Sequence, residues 1–98
     1  TEISTARNNL KGHVAAIIRP TAVALYLERP SGSPRNSWQC RVESIEFVHH
    51  IARVSLIGPF SFSADVTRSA VQELGIRSGD HVWASVKATE VVIQSIDS

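Results

Sequence analysis

Branched aliphatic side chains dominate the apolar content of this chain: of 98 residues, Val and Ile supply 20, Leu only 5 and Met none. Two heavy atoms on Cβ stiffen χ1, which disfavours a helix and suits the pleated surface of a strand. A mainly β protein is therefore expected. At this length there is room for one domain. With 43% apolar residues the chain has enough hydrophobic surface to fold around a core. Its single cysteine, Cys40, has no partner for an internal disulfide, so burial has to hold the fold. Ten basic residues against nine acidic give a net charge of +1, well short of the excess a duplex-binding module needs to neutralise phosphates. No apolar stretch is long enough for a membrane-spanning helix, and the start lacks a basic segment followed by an apolar one.

Period-two alternation marks the strands. His13 to Arg19 and Thr21 to Glu28 read as two strand-like runs divided by Pro20, whose missing N–H fits a strand interior badly. Pro30 to Ser37 offers no apolar anchor apart from its prolines and reads as a long loop. Trp38, Cys40 and Val42 alternate with polar neighbours. The phase then shifts to Ile45 and Phe47, as it does when a bulge intervenes near Glu43–Ser44. Ala52, Val54 and Leu56 resume the alternation up to Gly58-Pro59, and Phe60, Phe62, Ala64 and Val66 give the cleanest run. Helical spacing occurs once: Ala70, Val71 and Leu74 share a face, Thr67 or Ser69 can cap the start, and Gly75 suits the left-handed position after the last turn. After the turn Ser78-Gly79-Asp80, two further strands run from His81 to Ala88 and from Val91 to Ile96. Six or seven short strands and one helix imply a small antiparallel barrel or sandwich, nearest to the oligonucleotide/oligosaccharide-binding type.

The common catalytic signatures are missing: there is no phosphate loop, no Gly-x-Ser-x-Gly elbow and no His-Glu-x-x-His helix. No catalytic residue is assigned. His49-His50 invites a metal, yet neighbours on a strand point to opposite faces and do not converge on one ion, so no metal site is assigned either. Cys40 falls in phase with Trp38 and Val42 and reads as a small buried hydrophobe. Phe60, Phe62 and Trp83 have the chemistry to stack on bases, but alternation makes the two Phe core residues.

Two segments carry more donors than a strand needs. Thr5-Ala6-Arg7-Asn8-Asn9-Leu10-Lys11-Gly12 concentrates a hydroxyl, a guanidinium and amides, a set able to hold a tetrahedral oxyanion, although spacing alone favours a polar strand entry. Lys87-Ala88-Thr89 places a positive charge and a hydroxyl around a small residue. Taken together, Thr-Ala-Arg-Asn-x-Leu-x-Gly-x-Val at 5–14, Ala-x-Val-Thr-x-x-Ala-Val-x-x-Leu-Gly-Ile-x-x-Gly-x-x-Val at 64–82 and Trp-Ala-Ser-Val-Lys-Ala-Thr-Glu-Val at 83–91 resemble the molybdate-binding Mop/TOBE domain. More narrowly, they are similar to its version at the C-terminus of molybdate ABC-transporter ATP-binding subunits.

The resemblance implies an OB-like barrel over residues 1–98, cut from the end of a longer ATP-binding protein and paired with a second copy. It implies an oxyanion, molybdate or tungstate with sulfate as a relative, held between copies. The donors would be Thr5, Ala6 and Arg7 of one copy and Lys87, Ala88 and Thr89 of the other, with Thr67 as a further candidate. Thr5 stands where the family usually has Ser, keeping the hydroxyl and adding a methyl. Partners would be the parent nucleotide-binding domain, which alone would hold ATP, and the membrane permease subunits. Nucleic acid is not expected as a partner. The place would be cytoplasmic, at the inner face of the membrane. Two other readings fit less well: a freestanding molybdate-binding protein or regulator sensing domain, and a nucleic-acid-binding OB-type module.

Overall fold

Alternating burial organises the chain as its Val and Ile content requires. A computed structural model describes residues 2–6, 13–31 and 35–96. Eight strands are seen among them: β1 (Glu2–Ala6), β2 (His13–Ile18), β3 (Ala24–Tyr26), β4 (Arg35–Val48), β5 (Ile51–Ile57), β6 (Ser61–Thr67), β7 (His81–Lys87) and β8 (Val91–Ile96). One helix, α1 (Arg68–Leu74), and two 3-10 turns, Pro20–Ala22 and Ala88–Glu90, complete the order.

Five antiparallel strands in the order β3-β7-β4-β5-β6 form the main sheet. It curls until β6 packs on the Pro20–Ala22 turn and on β3, although no ladder joins β3 to β6 among the described residues. The inward faces supply the core: Cys40 and Val42 from β4, Ala52, Val54 and Leu56 from β5, Phe62 and Ala64 from β6, and Val82, Ala84 and Val86 from β7, all at most 4% exposed. A register shift between Val42 and Ser44 interrupts the β4–β5 ladder, which is the bulge that the phase change in the sequence implies. Trp38, Phe60 and Phe62 pack edge-on or tilted, with centroids 5.0 to 5.9 Å apart, so these rings belong to the barrel's packing. Gly58 is required beside them: a Cβ there would come within 3.0 Å of both Cys40 Sγ and the Gln39 carbonyl oxygen.

The helix is bounded as its sequence predicts. The Ala70 N–H donates to Thr67 Oγ1 at 3.1 Å, and Gly75, at φ 65°, returns its N–H to the carbonyls of Val71 and Gln72. Val71 faces the core.

The other three strands make a separate antiparallel sheet in the order β1-β2-β8. It joins the chain's first strands to its last. Ile18, at the end of β2, is buried in the main core, but Val92 and Ile93 on β8 are 52% and 62% exposed.

Four expectations need correction. The strand expected over Thr21 to Glu28 is reduced to Ala24–Tyr26, because Pro20 starts a 3-10 turn that Ala22 and Val23 close with N–H bonds to the Arg19 and Pro20 carbonyls. The loop expected through Ser37 ends earlier: Arg35, Asn36 and Ser37 pair with Lys87, Val86 and Ser85, since β7 offers a complete ladder to any backbone beside it. Glu2–Ala6 is a strand, so Thr5 and Ala6 lie within a ladder instead of in a strand entry. His49-His50 is a two-residue hairpin turn between β4 and β5, with His49 at φ 57°.

Candidate functional site

Lys87 ends β7, and the chain turns there into the Ala88–Glu90 3-10 turn, closed by the Val91 N–H on the Ala88 carbonyl. Lys87, Ala88 and Thr89 are exposed. Strand parity decides what stands beside them. Ser85 and Lys87 share the outer face of β7, and Ala24 and Tyr26 of β3 pair with Ser85 and Trp83 on the same face. Ser85, Lys87, Ala24 and Tyr26, with Arg19, Thr21, Ala22 and Glu90, line a cleft of about 330 Å³, within the range of small-molecule sites (~300–1,000 Å³). Thr89 borders an adjoining cleft with Ile17, Arg19, Glu90 and Val92. Arg19 and Glu90 thus wall both clefts and meet at 3.2 Å in an exposed ion pair.

Ser85 on the floor is unusual. It is 2% exposed, and its Oγ finds no hydrogen-bond partner among the described residues. Leaving a buried hydroxyl unpaired costs about 1–3 kcal/mol, so such groups are uncommon without a reason. In sequence, Ser85 alternates with Val82, Ala84 and Val86 and so falls on an outward face with no evident role. The signal available was its position two residues before Lys87, but nothing local shows that the outer face is covered there by Ala24 and Tyr26 of β3.

The remaining candidates are distributed as follows. Thr5 and Ala6 occupy β1, level with Val14 and His13 of β2 and, across it, with Ser95 and Ile96 of β8. Val91, the first residue after the Ala88–Glu90 turn, pairs with Ile18 four positions back along β8, about 13 Å at strand rise. The register thus sets Thr5 well along the small sheet from the end of the Ala88–Glu90 turn. Arg7 lies outside the described residues. Thr67 is elsewhere again: its hydroxyl caps α1, stands 3.1 Å from Ser69 Oγ and borders a cleft with His49, His50, Arg68, Ser69 and Gln72.

That region is held by Arg68. Its Nε and terminal nitrogen donate to the His49 carbonyl at 3.0 and 2.8 Å, its N–H donates to the His50 carbonyl at 2.7 Å, and its guanidinium lies 4.3 Å from the Phe47 ring centroid. Nearby, Arg53 makes a two-pronged contact with Asp65, 2.8 Å on each prong, which holds the Asp65 carboxyl below the usual carboxylate range. No group of three potential metal ligands occurs among the described residues. Burial pushes the Cys40 thiol above its ordinary value, as suits a core residue.

Comparison with known proteins adds the following. The family model of the TOBE domain matches residues 32–93. The molybdate/tungstate import ATP-binding protein WtpC of Pyrococcus horikoshii is 38% identical over 81 residues, covering 82% of this chain and 24% of that protein. The molybdenum import ATP-binding protein ModC of Mycobacterium tuberculosis is 39% identical over 87 residues, covering 84% and 24%. The chain therefore spans about a quarter of the length of these relatives. Among solved structures, the cytoplasmic molybdate-binding protein ModG, crystallised with molybdate bound, matches with a TM-score of 0.78 and 29% identity over 84% of this chain and 61% of that one.

Proposed function

Because the chain belongs to the TOBE domain family and is a domain like those of molybdate/tungstate importer ATP-binding subunits, we propose that it is the accessory domain of such a subunit. It pairs with a second copy and holds a molybdate-type oxyanion at the junction. Thr5, Ala6 and Arg7 of one copy and Lys87, Ala88 and Thr89 of the other supply the donors, and Thr67 is a secondary candidate. The observation that supports this reading is the register of the small sheet, which sets Thr5 apart from the end of the Ala88–Glu90 turn along one chain, as in a site shared between two copies. Exposed Val92 and Ile93 on the same sheet supply apolar surface for the pairing. A dianion needs only a few focused donors, which fits a net charge of +1.

Mechanistically, binding across two copies favours the paired state by its differential affinity, and that preference biases how the parent nucleotide-binding domains close. ATP binding and hydrolysis belong to the parent domain, at the cytoplasmic face beside the permease subunits. No described helix is long and apolar enough to cross a membrane. The likeness to ModG supports a second reading, a freestanding oxyanion-binding protein; finding a phosphate loop upstream in the same gene would eliminate it.

Calorimetry with molybdate, tungstate and sulfate, alongside sedimentation, tests the proposal. Saturable heat from the paired chain is expected. Lys87→Ala should weaken it by about ten- to a hundredfold, the value of one charge-assisted hydrogen bond. Absence of heat with every oxyanion overturns the sensing role.

A further inference from the structure

We propose that Arg19 and Ser85 are ligands of the oxyanion on its Lys87 side, so that the cleft between β3, β7 and the two 3-10 turns is the half of the site each copy builds by itself. The inference rests on the reading of Lys87 given above and extends it to residues outside the two family motifs. Three independent features converge on this cleft. Lys87 and Ser85 stand on one face of β7, two residues apart, so an anion at the lysine ammonium lies over the floor that Ser85 forms. Ser85 Oγ is buried, without a hydrogen-bond partner among the described residues, on the face that floors the cleft; it is a donor suited to an oxyanion, which offers only acceptors. Arg19 lines both the Lys87 cleft and the Thr89 cleft, so it is the cation shared by the surroundings of the two donors assigned from the motif.

Glu90 is the one acidic side chain lining either cleft, and it is engaged by Arg19 through a single 3.2 Å contact. With the Arg19 and Glu90 side chains 75% and 41% exposed, that pair is weak, and a dianion in the cleft is the stronger partner for the guanidinium. Ser85 Oγ is sealed from solvent, so an anion reaches it only with a side-chain shift in the cleft lining.

The test is calorimetric titration of the 98-residue chain with molybdate and with tungstate, in the wild type and in Lys87→Ala, Arg19→Ala and Ser85→Ala, with a thermal melt of each without oxyanion. Arg19→Ala and Ser85→Ala are each expected to weaken binding by about tenfold. The melt separates ligand from scaffold. Ser85→Ala removes an unpaired buried hydroxyl and should leave the melting temperature unchanged or raise it while affinity falls. Loss of affinity with Lys87→Ala but full affinity in Arg19→Ala or Ser85→Ala overturns this inference and leaves the proposed function standing. A lowered melting temperature in Ser85→Ala likewise overturns it, marking the hydroxyl as structural. No binding by the wild type overturns the proposed function itself.

Discussion

The two sheets treat the same kind of side chain in opposite ways. In the five-stranded sheet Val42, Val54, Val82 and Val86 are at most 1% exposed, whereas Val92 and Ile93 in the three-stranded sheet are half exposed or more. Adjacent strand residues face opposite sides, so both faces of the small sheet present apolar surface. A curled sheet with an α-helix at its end buries its inner face alone; the three-stranded sheet leaves Val92 and Ile93 uncovered by the other described residues. The contrast separates what holds the chain folded from what it offers to another surface.

Leu56→Ala attacks the first role most directly. The side chain is 1% exposed in the barrel core, and its truncation should destabilise by about 2–5 kcal/mol in denaturant melts. Thr67→Ala removes the cap of α1 and should cost about 1 kcal/mol. A smaller change of opposite sign is expected from His49→Gly, since the hairpin holds His49 at φ 57°, where an L side chain is strained; relief of roughly 0.5–1 kcal/mol should raise the melting temperature.

The Arg53–Asp65 contact gives a pH signature confined to the barrel. With its folded pKa lowered, Asp65 contributes stability that is fully present above the unfolded carboxylate value of about 3.9 and is lost as pH falls through the depressed value. Melts between pH 6 and pH 2 should show Asp65→Asn losing less on acidification than the wild type. Least disturbing to the fold is Ile93→Lys on the small sheet, within about 0.5 kcal/mol. It should nonetheless dissociate the pair in sedimentation; a pair that survives it would assign the small sheet some other role.

Sequence patterning reached the barrel because its core alternates strictly. Phe62-Ala64 and Val82-Ala84-Val86 announce their inner face, Thr67 and Gly75 bracket the helix, and the break in phase after Val42 locates the bulge. It failed where partners on other strands decide. Arg35-Asn36-Ser37 has no apolar residue to mark a strand and is one because β7 pairs with it. His49-His50 lacks the Gly or Asn that advertises a hairpin turn; Arg68, nineteen residues beyond His49, holds the turn by its carbonyls. The Lys87 segment was legible as a motif, but Arg19 and Ser85 were not, because they reach the Lys87 cleft through a 3-10 turn and a covered outer face.

The pairing of β2 with β8 also sets an order of events. Ile18 pairs with Val91, so the small sheet closes a loop holding most of the chain, while β4, β5 and β6 are joined by short hairpins. Loop-closure entropy favours the local ladders first, and the long-range one gains most once the barrel has brought Ile18 into place. During synthesis β8 follows every other described strand out of the ribosome. The surface that carries Val92 and Ile93 is thus assembled only after the barrel can fold, which keeps apolar strand edges from meeting another chain prematurely.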